Sequence, residues 1–509
     1  MHASWHKDAI AGFSVALVAL PLSIGIALAS GAPASAGLIA AIVGGVIGSW
    51  LGGASLTING PAAGLIVIVL EAIQSLGQGN NELGFRYMLA ATVVAGAMQV
   101  VFGALKLARK GLMCPSSVIH GMMAAIGLII LAKQLHVMLG YAPVAKNPVM
   151  LFAELPLAIR NMQPLIFAVG ALSLATLYLW PKVPLEFAKK VPAPLVSVVL
   201  GVVLAVIFGF SGKMLLQVPA DVTSWLIFPD FSIMQTWDGW RVALTLAMVA
   251  SLETTLSAAA VDKLDPKHRR SNLDRDLLSK GVCNMLSAML GGLPMIAEIV
   301  RSSANVSYGA TSWRANFSHG LCLLAAVLLL PAALGLLPLA SLAAILVMVG
   351  SRLGSPAHFA HAKKVGWDHL TGFLVTMVLT LAVDLLVGIF AGIVAQYAVE
   401  VFMGLRLKHT FVARYRETEN HGVHHFTVKS ALMFSNFETL KLKLLHVIHQ
   451  QQTVFLELES CTYVDSNVME QLLDLQSLAR ERGVEFKIHY SGAHATLGTE
   501  TNSAIRKIA

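Results

Sequence analysis

GGLPMIAEIVRSSANVSYGA, residues 291–310, interrupts a chain that is otherwise strongly apolar. Two glycines and a proline open the stretch. Glu298 and Arg301 follow, three residues apart, and then Ser302, Ser303 and Asn305. In hydrocarbon every backbone N–H and C=O must be paired, so broken backbone at membrane depth is tolerated only where it lines a cavity. The stretch therefore reads as the entrance to a site.

The surroundings support that reading. The chain has 509 residues, of which 56% are hydrophobic and 13% charged, against roughly 25% charged in soluble proteins. Apolar runs recur at about 17–25 residues, the length that crosses a bilayer, and most lack the polar face of a soluble helix. Spans are expected near 10–30, 36–53, 61–75, 86–105, 115–137, 163–180, 193–210, 242–258, 278–291, 296–311, 317–336, 338–350, 369–384 and 385–404. The apolar run from Ile10 to Ser30 is too long for a signal-peptide core and reads as a retained first helix.

Loop charges orient these fourteen spans. With the N-terminus in the cytoplasm, the even-numbered loops carry most of the basic residues: Lys106, Arg109 and Lys110; Lys182, Lys189 and Lys190; Lys263, Lys267, Arg269, Arg270, Arg275 and Lys280; Arg314; Arg352, Lys363 and Lys364. The other loops have Arg86, Lys133, Lys146, Arg160, Lys213 and Arg241. This bias places both termini in the cytoplasm. It also explains the net charge of +8 without invoking nucleic acid. Cys114, Cys283, Cys322 and Cys461 are scattered, which argues against a disulfide framework or a zinc site. There is no phosphate loop either, so an enzyme is not expected.

Two spans are short. The third opens SLTINGPAAGLIVIV and the tenth opens GGLPMIAEIV. Each is third of seven in its half. Short, Gly/Pro-interrupted spans at matching places point to a transporter site built from an inverted repeat. An odd repeat of seven brings the second half in upside down, so the two helix N-termini meet. Each N-terminus carries unpaired N–H groups and about half a positive charge. Two facing each other form an anion site without a lysine.

After Leu405 the composition changes. HHFTVKSALMF, QQTVFLELES and VEFKIHY have strand patterns, and NFETLKLKLLHVIHQ and SNVMEQLLDLQSLARERG have helical spacing. The order β, α, β, α, β suggests an α/β sandwich. The expected division is 1–405 for the membrane domain, 406–425 for a linker and 426–509 for the cytoplasmic domain. The linker histidines His421, His424 and His425 read as solvated.

NGPAAG at the third span, SLETTLSAAAVDKL at the eighth, LPMIAEIVRSSAN at the tenth and LELESCTYVDSNVMEQLLDL near the C-terminus together resemble the SulP anion transporters, whose tail is a STAS domain. The resemblance covers essentially the whole chain. It implies an all-α 7+7 inverted repeat of core and gate domains with an α/β STAS domain, an elevator cycle and a homodimer in the inner or plasma membrane. It implies an anion held by Ala62, Ala63 and Gly64 on one side and Ala297, Glu298 and Ile299 on the other. It also implies a coupling-ion site at Glu253 and Ser257, which share a helix face. Where sodium-coupled relatives have small or hydroxyl residues, this chain has Glu298 and Ile299, so the coupling ion is sodium or a proton. The STAS loop reads Asp465-Ser466-Asn467, with Asn467 where regulatory relatives carry a phosphorylatable hydroxyl.

Ionisable residues inside spans are functional candidates because their burial is costly. Glu253 is a cation or proton site. Glu298 at a helix N-terminus competes with an anion for the same field, and two neighbouring anions raise each other's proton affinity. Arg301 attracts the anion or neutralises Glu298. Glu71 and Asp384 are expected near span ends, and His120 reads as structural. The function expected is secondary active transport of a small oxyanion, bicarbonate or sulfate first and a dicarboxylate next, with no cofactor or metal. A different class, a membrane-anchored STAS scaffold or sensor that binds a cytoplasmic protein, predicts that the charged span residues tolerate mutation.

Overall fold

A computed structural model describes residues 5–108, 115–145, 148–184, 191–217, 221–267, 269–383, 385–402, 413–420, 422–490 and 494–507. Arg109, Lys110, Cys114, Lys146, Lys189, Lys190, Asp384 and His421 lie outside these residues.

Fourteen of the described helices follow the expected order of spans. They are α1 Trp5–Ala29, α2 Ala34–Leu51, α3 Ile66–Gly77, α4 Asn81–Ala104, α5 Ser116–Leu139, α6 Pro164–Leu179, α7 Ala193–Ile207, α8 Trp237–Leu264, α9 Leu273–Met289, α10 Ile299–Ser307, α11 Arg314–Leu329, α12 Leu339–Leu353, α13 Trp367–Ala382 and α14 Leu385–Phe402. Among the described residues, eight helices are long and apolar enough to cross a membrane, and four shorter apolar helices accompany them.

Three expectations about charged residues need correction. The ninth span was expected to begin at residue 278, but α9 starts at Leu273, because Asn272 caps it by accepting a hydrogen bond from Arg275 N–H. Lys280, counted above as a loop cation, therefore lies inside α9. It is fully buried and is paired with Asp276 one turn earlier at 2.9 Å. Lys133 likewise lies within α5 rather than in a loop. Glu71 is exposed in mid-α3 rather than at a span end.

The chain divides into two compact units, Met1–Leu112 with Ile126–Leu353, and Met113–Ala125 with Gly354–Ala509. In the first, small residues let helices approach closely. A Cβ on Gly96 of α4 would lie 2.6 Å from Gly281 O of α9, and the reverse holds for Gly281. Strands β1 Ile58–Pro61 and β2 Met295–Glu298 lie inside this helical unit and pair antiparallel.

In the second unit, the C-terminal domain has a sheet of β3 Tyr415–Asn420, β4 Val423–Val428, β5 Thr453–Glu457 and β7 Phe486–His489, in that order. Strand β3 is antiparallel to β4, and β4, β5 and β7 run parallel. Helices α15 Glu438–His449 and α16 Ser466–Glu481 pack on it. Strands β6 Tyr463–Val464, β8 His494–Thr496 and β9 Ile505–Lys507 form a second small sheet. Alternation in the sequence sets the core: Phe426 and Val428 of β4 and Val454 and Leu456 of β5 point inward against Leu440, Leu444, Leu472 and Leu475. Strand β3 and the first residues of β4 fall within 406–425, the stretch expected to be linker. Of the linker histidines, His424 is buried rather than solvated and contacts Gln452 at 2.9 Å.

Candidate anion site

The stretch 291–310 is a bent clip followed by a strand and a short helix. Gly291 has a φ of +86°, a left-handed turn that favours glycine. Asn284 of α9 then grips the chain as a backbone partner would. Its Oδ1 accepts Met295 N–H at 2.6 Å and its Nδ2 donates to Met295 O at 3.1 Å. Ser287 Oγ donates to Leu293 O at 2.9 Å. From there β2 pairs with β1 in the register Ile58–Glu298, Asn59–Ala297, Gly60–Ile296 and Pro61–Met295.

This pairing solves the problem of irregular backbone at membrane depth. Each strand satisfies one edge of the other, and side chains from neighbouring helices cover what remains. Ser302 Oγ accepts Ile58 N–H at 2.8 Å, Asn316 Oδ1 accepts Asn59 N–H at 3.2 Å, and Asn305 Nδ2 donates to Leu56 O at 2.9 Å. Asn59 Nδ2 and Asn316 Nδ2 both donate to Gly44 O. Ser302 and Asn305 stand in the opening stretch, but Asn284, Ser287 and Asn316 were not singled out from the sequence. The available signal was the presence of Asn and Ser inside otherwise apolar spans, as in GVCNML and RANFSHG.

The strands deliver two helix N-termini. Beyond β1, Ala62 is extended, and Ala63–Leu65 form a 3-10 turn that leads into α3. At the end of β2, Glu298 is the N-cap of α10, with φ −101° and ψ 117°. Ala62, Ala63 and Ala297 are buried and Gly64 is half-buried. Ile299 is exposed, so its side chain is not part of a closed site, although its backbone opens α10.

Two carboxylates are brought to this point. A Cβ on Gly64 would collide with the carboxylate of Glu253, which reaches across from α8. Only glycine leaves room for that approach. Glu298 is a charged neighbour of Glu253. Ser257, one turn after Glu253, is buried on the same helix. Glu298 is already engaged with its own helix, since its Oε2 accepts Arg301 N–H at 3.1 Å and lies 3.6 Å from Arg301 Nε.

Among the described residues Arg301 is the largest fully buried side chain, and its Nε, Nη1 and Nη2 lack hydrogen-bond partners. Its Nη1 sits against Gly60, where a Cβ would clash. His319 of α11 is fully buried, has neither ring nitrogen bonded, and has Arg301 as its charged neighbour. The region thus holds two helix N-termini, a buried guanidinium, two carboxylates and an imidazole. That set can hold an anion and a proton or small cation together. Among the described residues no group of three or more His, Cys, Asp and Glu is placed to bind a metal ion.

Known proteins resemble this chain over most of its length. Residues 5–378 match the sulfate permease family and residues 415–492 match the STAS domain. The putative sulfate transporter YvdB of Bacillus subtilis is 28% identical, over 91% of this chain and 87% of that protein. The bicarbonate transporter BicA of Picosynechococcus is 28% identical, over 76% of this chain and 68% of its own. The solved transmembrane domain of a cyanobacterial BicA superposes with a TM-score of 0.69 at 25% identity, covering 76% of this chain and 98% of that one. Murine Slc26a9, an anion transporter solved in the inward-facing state, gives a TM-score of 0.69 over 96% of this chain and 86% of its own. At 17% identity that likeness concerns the fold. The chain belongs to the sulfate permease family, a family of membrane transporters, and carries a STAS domain.

Proposed function

We propose, from membership of the sulfate permease family, that this chain is a secondary active transporter of a small inorganic oxyanion, bicarbonate or sulfate. The observation that carries the reading is the antiparallel pairing of β1 with β2, which turns the N-termini of α3 and α10 toward each other from opposite ends of the two-strand ribbon. Backbone N–H groups from Ala62, Ala63 and Gly64, and from Ala297, Glu298 and Ile299, supply positive potential for the anion. The Arg301 guanidinium supports that potential from behind.

Glu253, with Ser257 beside it, is the coupling-ion site for sodium or a proton. Its carboxylate touches the Gly64 backbone, so an anion arriving there favours a bound cation or proton on Glu253. Glu298 is the second carboxylate in that field. Loading anion and cation together favours symport over exchange. The unit that carries the site moves against the rest of the membrane domain in an elevator cycle. The protein works as a homodimer in the inner or plasma membrane, with both termini and the STAS domain in the cytoplasm, where a cytoplasmic protein binds it.

The test is uptake of labelled bicarbonate, sulfate and succinate in proteoliposomes, with sodium and proton gradients varied independently. Accumulation of bicarbonate or sulfate driven by one of the two gradients is the expected result. Accumulation of succinate alone, or of none of the three, would overturn the reading.

A further inference from the structure

The unit formed by Met113–Ala125 and Gly354–Ala509 contains a second group of buried acids, far in sequence from Glu253 and Glu298. Asp368 stands in the first turn of α13, Glu400 near the end of α14, and Asp465 at the N-cap of α16 in the STAS domain. All three are fully buried. They meet around Tyr463, whose hydroxyl donates to Asp368 Oδ2 at 3.2 Å and which has Asp368, Asp465 and Glu400 as charged neighbours.

The partners of these carboxylates are mostly neutral. Asp465 accepts the N–H groups of Val468 and Phe434, both at 2.6 Å. Glu400 Oε1 accepts Gln396 Nε2 at 3.4 Å. Asp368 Oδ1 and Glu400 Oε2 have no hydrogen-bond partner. Among the described residues no lysine or arginine forms an ion pair with any of the three; Lys364 nearby in sequence pairs instead with Glu500, at 3.8 Å, and is largely exposed. The remaining titratable groups facing the junction are Tyr397 of α14 and the imidazoles of His120, His358, His361 and His369. Three carboxylates buried together without a cation cannot all be ionised.

These acids sit where the STAS domain touches membrane helices. His369 Nδ1 contacts Ser466 Oγ at 3.3 Å, Ser116 N–H donates to Asn467 Oδ1 at 2.6 Å, and the rings of Tyr397 and Phe434 lie 5.2 Å apart. Ser117 Oγ donates to Gln396 Oε1 at 3.1 Å, which joins α5 to the same network. Asn467 lacks a phosphorylatable hydroxyl, and its amide oxygen is already committed to α5.

We propose that this junction is a proton latch, in which a proton shared among Asp368, Glu400 and Asp465 holds the STAS domain against α13 and α14, and its loss loosens that contact. Desolvation, with Asp368 adding to it, raises the Asp465 carboxyl to about 7 despite the backbone N–H groups that pull it down. The sign follows from linkage. A carboxyl raised on docking favours the docked state fully below its free pKa of about 4; that contribution falls as pH rises and is gone above about 7. An alkaline cytoplasm therefore releases the latch and an acidic one closes it.

The experiment is hydrogen exchange on the full-length protein in lipid nanodiscs from pH 5.5 to 8.5, corrected for intrinsic exchange. The peptides followed are 364–372 and 463–468, with 454–457 in the STAS core as reference. The expected wild-type result is junction protection that falls by up to about tenfold per pH unit per proton released and levels off above pH 7.5, while the reference stays constant. Glu400→Gln keeps the Gln396 contact and should flatten the slope and retain protection at pH 8. Asp368→Asn is the second variant, should the first not fold. Wild-type protection independent of pH would overturn the latch. So would a wild-type slope unchanged in both variants, or parallel loss of protection in the reference. None of these readouts depends on transport.

Discussion

The third and tenth crossing segments enter the site alike, each as a four-residue strand that turns into a short helix. They end with different chemistry. The turn that leads into α3 is Ala62, Ala63 and Gly64, which bring backbone and little else. The start of α10 carries Glu298 as its own cap, with Arg301 and Ser302 in the first turn. One half offers bare N–H groups. The other has part of its positive end occupied by a carboxylate already. An inverted repeat can thus keep the same backbone geometry in both halves while assigning charge to one.

That difference can be broken from the bare side. Gly64→Glu places a side chain into Glu253 and into the anion position. Uptake should fall to background, more than about 100-fold, because a clash and an unpaired charge add together. Normal uptake by a well-expressed Gly64→Glu protein would remove α3 from the site. Glu253→Gln should have the next largest effect. It keeps size and hydrogen bonding but cannot bind a proton or neutralise sodium. Accumulation against a gradient should be lost while anion-for-anion exchange remains, with both assays run on the same vesicles. Wild-type accumulation would show that Glu253 does not carry the coupling ion.

The support beneath the two strands predicts a third, intermediate effect. Asn284→Ala strips Met295 of both its side-chain partners, and each orphaned buried backbone group costs about 1–3 kcal/mol. Thermal unfolding should show a loss of roughly 2–5 kcal/mol, with slower transport as β2 loosens. An unchanged melting profile would show that water replaces the clip.

The smallest effect sharpens the comparison. Glu298→Gln makes α10 more like α3 by removing the charge that competes for the helix N-terminus. Anion affinity should rise by about fivefold, corresponding to about 1 kcal/mol at a helix end. Binding titrations of the two proteins under identical conditions test this. Weaker binding by the variant would show that Glu298 holds α10 in place more than it repels the anion.

Much was legible in the residues themselves. Apolar runs of spanning length set the order of fourteen segments, and the Gly/Pro breaks at residues 60–64 and 291–294 marked the two that are unlike the rest. Local rules suffice for such features, since span length, helix breaking and the alternation of β4 and β5 depend on neighbours in the chain. The supporting residues were not legible. Asn59, Asn284 and Asn316 satisfy backbone groups that lie 11 to 272 positions away, and no local pattern identifies such a partner. Lys280 shows the same limit, since it reads as a loop cation until Asp276 is seen beside it in a buried turn.

The sequence by itself therefore determined the membrane class, the order of the segments, and which two of them are short and led by Gly and Pro. Only the tertiary structure decided that β1 pairs with β2 in a fixed register, that Glu253 meets Gly64, and that Asp368, Glu400 and Asp465 share one buried site. The physical reason is range. Hydrophobic length and backbone propensity act within a turn or two of chain, whereas charges and unpaired backbone groups act on whatever the fold brings within a few ångströms.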